Sequence, residues 1–147
     1  MAIKKLEFYE GAALRLLACA GGIAGIRYEP PFFLLNEDLL VRVKYSTKSR
    51  SPWAFTFTGD EQAVLQEKAS EFRIVIGLVC GGDGVVTLSY EDYFTIAEPR
   101  ETAVHIASYR HHREHYEVSG PDGILLRKVS PSSWLKILES RGGNEAS

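Results

Sequence analysis

Residues Leu39 to Ser49 read "LLVRVKYSTKS", and the alternation of this stretch decides how the rest of the chain is understood. Consecutive side chains on a β-strand point to opposite faces. Leu39, Val41, Val43 and Tyr45 therefore make one apolar face, and Asp38, Leu40, Arg42, Lys44 and Ser46 share the other. The apolar face belongs against a core. Two neighbouring cations on the reverse face call for carboxylates or for phosphates, and the flanking sequence supplies candidates for both.

Upstream, "KKLEFYEGAALRLLACAGG" spaces Leu6, Tyr9, Ala13, Leu16, Leu17 and Ala20 by three and four residues. That spacing predicts a helix with one apolar face, stopped by Gly21 and Gly22. At about 100° of rotation per residue, Glu10 falls between Leu14 and Leu17, inside the apolar arc. A carboxylate there is costly unless it is paired. The expected partners are the cations of the strand that this helix covers.

Between the two lies "IRYEPPFFLL", whose Pro30 and Pro31 exclude a helix. Downstream, "STKSRSP" reads as a polar loop and "WAFTFT" as a second alternating strand. Thr58 and Glu61 form a capping box that opens a helix over "DEQAVLQEKAS". The almost unbroken apolar run "RIVIGLVC", Arg73 to Cys80, predicts a strand covered on both faces. "GGDG" turns it into "VVTLS", and Ser89 with Asp92 caps a short helix. "TAVHIASYR" and "REHYEVSG" read as a hairpin, "ILLRKV" as a further strand, and Ser130-Pro131 as the start of a last helix over "SSWLKILES".

This order predicts an α/β domain, or the related α+β arrangement, with a mixed β-sheet flanked by helices. One globular domain is expected over residues 1–140, with a core over about 4–80, a β-rich extension over about 81–140, and a frayed tail at 141–147. A chain of 147 residues suits one such core. Hydrophobic residues at 45% and charged residues at 24% exclude a disordered chain. A net charge of −2 excludes any global attraction to nucleic acid, so phosphate binding needs a local patch. Two cysteines without framework spacing point to a reduced, cytoplasmic setting. Arg15 and three glycines interrupt the apolar stretch Gly11 to Ile26, leaving it short of the ~20 residues of a membrane span.

The helix with an inward Glu10, the "G-x-x-x-x-R-x-x-P" that follows, and the strand ending "V-x-V-K-Y-S" resemble the PD-(D/E)xK nuclease superfamily. The α-β-β-β-α-β order is similar to Holliday-junction resolvases and small restriction-type endonucleases, over roughly Lys4 to Cys80. The resemblance implies that the helix glutamate, an aspartate and the acid of the tripeptide bind Mg²⁺, while the lysine positions the attacking water. Glu10 then matches the glutamate and Lys44 the lysine. Arg42 stands where the acid belongs, and Phe33 where an aspartate often precedes the strand. Glu37 or Asp38 would be displaced substitutes.

Beside this strand, Lys48 and Arg50 could contact phosphates and Trp53 could stack on a base, or Trp53 could pack in the core. "RHHREH" adds Arg110 and Arg113 in a hairpin turn, where the residues touch phosphate or are simply exposed. His111, Glu114 and His115 match H-x-x-E-H, but strand-like flanks deny the helical geometry zinc needs. "CGGDG" reads as a hairpin turn.

Three functions follow. The leading one is a nucleic-acid-associated protein, with DNA as a candidate partner, whose metal site is degenerate and which binds phosphates through Arg42, Lys44, Lys48, Arg50, Arg110 and Arg113. The second is an Mg²⁺-dependent endonuclease using Glu10, Asp38 and Lys44, with Glu10 and Asp38 holding the metal. The third is an accessory protein that binds a protein partner or forms a homodimer. No membrane association is expected.

Overall fold

In a computed structural model, which describes residues 2–139, a five-stranded mixed sheet divides two hydrophobic cores. Helix α1 (Lys5–Ala20) leads into a meander of β1 (Ile26–Glu29), β2 (Phe32–Leu35) and β3 (Leu39–Ser46). Strand β4 (Trp53–Phe57) leaves this sheet. Helix α2 (Gly59–Ala69) then returns the chain to β5 (Arg73–Cys80), which pairs with β3 in parallel over its whole length, Leu39 opposite Arg73 and Ser46 opposite Cys80. Strand β6 (Gly84–Ser89) turns back against β5, giving the order β1-β2-β3-β5-β6.

After α3 (Tyr90–Ile96), strands β7 (Val104–Tyr109), β8 (Glu117–Gly120) and β9 (Gly123–Ile124) join β4 in a second, antiparallel sheet ordered β4-β7-β8-β9. The α/β class is as expected. The placement of β4 differs from a simple three-strand run, because the β1–β2 hairpin already supplies the two partners that precede β3. β4 instead turns Trp53, Phe55 and Phe57 inward and exposes Ala54 and Thr56.

Parity along β3 sorts the two cores. Leu39, Val41 and Val43 join Ala13 and Leu17 of α1, with Trp134 and Ile137 from the C-terminal segment. Leu40 joins Ile74, Ile76 and Leu78 of β5 and the inward residues of the second sheet. α1 thus covers one face of the first sheet, while α2, α3 and the second sheet cover the other. On α1, Ala13 and Leu17 are buried, whereas Leu16 and Ala20, expected inside, lie exposed.

Two expectations near the end of the chain are corrected. Over its described residues, 132–139, "SSWLKILES" forms a short 3₁₀ turn, η1 (Ser133–Lys136), rather than a longer helix, and Trp134 is anchored there by an indole N–H donated to Ala13 O at 3.0 Å. "ILLRKV" is strand only at Ile124, the end of β9, with Val129 in an isolated bridge to Tyr116, and Leu126 between them is fully exposed. The tail expected at 141–147 lies outside the described residues. Among the described residues no helix is long and apolar enough to cross a membrane.

Candidate functional site

The cations of β3 meet their counter-charge on α2. Thr58 caps this helix by accepting the Glu61 N–H at 3.1 Å, and Glu61 Oε1 accepts the Thr58 N–H at 2.9 Å. That reciprocal box holds the carboxylate over the face of β3 that carries Arg42 and Lys44. Glu61 Oε2 then accepts from Arg42 Nη2 at 2.9 Å and from Lys44 Nζ at 2.7 Å. Arg42 also donates Nη1 to Val43 O at 2.8 Å, and the Lys44 ammonium sits 4.8 Å from the centre of the Phe57 ring. Both Glu61 oxygens and the groups around them are therefore committed.

Burial pushes the Lys44 pKa down, against the opposing pull of Glu61. Burial alone would raise the Glu61 carboxyl, but hydrogen bonds from Lys44 and Thr58, together with the charges of Lys44 and Arg42, bring it below its ordinary value. The two shifts point to one physical state. The pair is ionised, with a carboxylate well satisfied by three donors and an ammonium that gives up more hydration than one partner returns.

Glu10 does not join this cluster. It is buried, 7% exposed, on the helix that covers the opposite face of the sheet, beside Ala13 and Leu17. Burial raises its pKa, Arg42 lowers it through space, and burial outweighs that attraction. Among the described residues no hydrogen bond or ion pair holds its carboxylate. The expectation that the strand cations would pair with Glu10 is thus corrected. Side chains alternate, so the helix that covers Val41 and Val43 cannot also cover Arg42 and Lys44.

The remaining expected ligands are dispersed as well. Asp38 sits half-buried at the entrance to β3, with its N–H donated to Leu35 O at 3.1 Å. Glu37 pairs with Arg27, and Phe33 packs against the α1-side core. Glu10, Asp38 and Lys44 are not brought together. Among the described residues no three His, Cys, Asp or Glu side chains are grouped to hold a metal. His111, Glu114 and His115 lie in the loop between β7 and β8 without helical geometry, and Glu114 pairs with Lys128 at 3.7 Å.

The basic loops are brought together. Ser51 Oγ donates to Arg110 O at 3.2 Å, joining the β3–β4 loop to the β7–β8 loop across 59 residues. Lys48, Arg50, Arg110 and Arg113 thereby gather at one end of the two sheets. Lys48 Nζ donates to Pro52 O, while Arg110 donates to Asp83 at 2.9 Å and to Glu114 O at 2.7 Å. Arg50 and Arg113 are exposed. Trp53 is in the core, its indole N–H donated to Lys48 O at 3.0 Å, so it shapes the loop from beneath. Tyr116 O–H donates to Asp83 at 2.5 Å, and the Arg110 guanidinium lies over the Tyr116 ring.

Compared with protein-family models, with curated proteins and with solved structures, the chain matches none. Its site is therefore read from its own geometry. Two residues that sequence reasoning passed over organise it. Glu61 was visible only as a helix cap, although an acid in the first turn after β4 is also in reach of the strand cations. Asp83 was visible only as part of a glycine-rich turn; its pairing with Arg110 and Tyr116 joins segments too distant in sequence to leave a local signal.

Proposed function

We propose that the protein is a nucleic-acid-associated module without a nuclease centre, contacting phosphates through its joined basic loops. The observation that carries this reading is the Ser51–Arg110 hydrogen bond, which joins the loop that carries Arg50 to the loop that carries Arg113. Arg42 and Lys44, first in line as phosphate ligands, are instead both engaged inside by Glu61. The parallel β3–β5 pair with α2 between its strands is what a nuclease-like core would have, although four strands rather than three precede α2. The separation of Glu10 from Lys44 speaks against the endonuclease alternative, which needs both at one phosphate.

Fluorescence anisotropy with labelled single- and double-stranded DNA, across a range of salt, tests the proposal. Binding is expected to weaken steeply with salt and to persist in EDTA. The R50A/R113A pair is expected to lower the salt slope by about two, one for each phosphate that the variant no longer neutralises. Absence of binding at low salt overturns the reading. Plasmid cleavage with Mg²⁺ or Mn²⁺ that is lost in K44A would restore the endonuclease.

One observation favours a protein-interaction role beside this. β1 is an edge strand with all four residues exposed, and Ile26 and Tyr28 on it join Phe8 in presenting apolar surface to solvent. Such an edge can accept another strand. Light scattering on Y28K against wild type reads whether this edge makes a homodimer.

A further inference from the structure

Between the first half of α1 and the β1–β2 hairpin lies a cavity of about 540 Å³, a volume within the range of small-molecule sites. Leu6, Glu7, Glu10 and Leu14 reach it from α1, at spacings of three and four residues that place them on one stripe of the helix. Tyr28 and Phe33, opposite each other across the β1–β2 ladder, give it an aromatic wall, their ring centres 5.1 Å apart. Lys4 lines it as well, so two acids face a single base.

Glu10 points to a ligand. It is only 7% exposed and lines the cavity, yet among the described residues no donor reaches its carboxylate. Buried carboxylates are ordinarily paired, because an unpaired one loses hydration with nothing in return. Arg42 acts on Glu10 through space but donates to Glu61 and to Val43 O instead. The Tyr93 hydroxyl is equally unpartnered and is sealed from solvent, whereas the Glu10 carboxylate is not. Glu7 keeps an oxygen to spare, since the Lys4 N–H engages Oε1, at 2.9 Å. Among the described residues no third His, Cys, Asp or Glu joins these two to hold a metal ion.

We propose that this cavity binds a small organic amine, its ammonium group held by Glu10 and Glu7 and its apolar body set against Leu6, Leu14, Tyr28 and Phe33. An ammonium carries three donors and no acceptor, so it can serve two carboxylates at once. Aromatic rings attract a cation over their faces. A bare ammonium ion leaves the apolar lining unused, and a neutral ligand leaves Glu10 without a counter-charge.

¹H–¹⁵N NMR titration of the full chain with benzylamine, benzyl alcohol and ammonium chloride separates these contributions. Benzylamine, protonated at pH 7, is expected to shift the amides of Glu7, Glu10, Gly11 and Phe33 saturably. Benzyl alcohol and ammonium ion should each bind at least about tenfold more weakly, the ratio that 1.4 kcal/mol represents. Glu10→Gln keeps the shape of the side chain and removes its charge. Benzylamine should bind this variant at least about tenfold more weakly, with the rest of the spectrum native, so that loss of binding is separated from loss of fold. Tyr28→Ala, on an exposed strand, should weaken benzylamine by about threefold or more. Benzyl alcohol binding as tightly as benzylamine, or unchanged affinity in either variant, overturns the proposal. Shifts confined to residues outside the cavity also overturn it, and leave the nucleic-acid reading of the basic loops intact.

Discussion

Lys44 Nζ and Glu61 Oε2 lie 2.7 Å apart across the face of the sheet that α1 does not cover. The same oxygen serves Arg42, and its twin caps α2. Removing this carboxylate leaves two cations in a part-buried site with no acid between them. Glu61→Ala is expected to cost about 2–3 kcal/mol, just below the ~3–5 kcal/mol for breaking a fully buried pair, because the Glu61 side chain is 26% exposed. Urea denaturation measures this, and a loss below about 1 kcal/mol would show that the pair contributes little beyond the cap.

The acid limb of stability should carry opposite contributions from two glutamates. The Glu61 carboxyl titrates below its ordinary value of 4.5 in the folded chain, so its stabilisation is complete above that value and fades as pH falls through the folded pKa. Glu10 is raised, so the folded chain binds its proton first, and stability from this residue grows as pH falls toward 4.5. Glu10→Gln is therefore expected to stabilise the protein at pH 7 by roughly 0.5–1 kcal/mol, with the gain shrinking toward pH 4.5. Thermal unfolding of E10Q, E61Q and wild type from pH 3 to 8 reads both signs. A Glu10→Gln effect that grows on acidification would contradict the assignment.

Gly77 sits at the centre of β5 where Trp134 rests on the sheet. A Cβ at this position would lie 2.8 Å from the indole ring, which its hydrogen bond to Ala13 O holds in place. Gly77→Ala is expected to destabilise by about 1–3 kcal/mol through overpacking. Denaturation followed by tryptophan fluorescence measures the loss, and Trp134→Phe should reduce the cost by opening space.

The two thiols should differ sharply in reactivity. Cys19 is exposed on α1, whereas Cys80 is buried at the end of β5, where burial pushes its thiol up to about 12. Only the thiolate attacks a disulfide reagent. In the folded protein one thiol per chain should react rapidly with an aromatic disulfide reagent, and the second only after denaturant is added. Two rapid equivalents in native buffer would show that the β5 end opens.

Asp83→Asn keeps the shape of the β5–β6 turn but takes the anion from Arg110 and Tyr116. A cost of about 1–3 kcal/mol is expected, since a charged acceptor is lost. DNA binding by the basic loops should tighten, because Arg110 loses its competing acid. The anisotropy titration reads the second effect against D83N stability.

Local signals carried much of the architecture. β3 and β5 run over the residues that their alternation and their apolar run predicted, because both patterns are set by neighbours within one strand. The Thr58–Glu61 box was equally local. The side of the sheet that each helix takes was not legible, since it follows from the whole register of the meander and the exit of β4. Trp134 and Ile137, three residues apart, fit an α-helix and a 3₁₀ turn alike. The same limit hid the site: Glu10 has the right helix phase for burial, but phase does not say which face of the sheet lies beneath.

Glu61 also has a kinetic meaning. Helix ends ordinarily fray, because their first amides have few bonds to lose. Here, unwinding the first turn of α2 would release the Thr58 cap and strand Arg42 and Lys44 in the same event. The start of α2 and the middle of β3 should therefore open together, and the amide of Glu61 should exchange with solvent far more slowly than its position in a first turn would suggest.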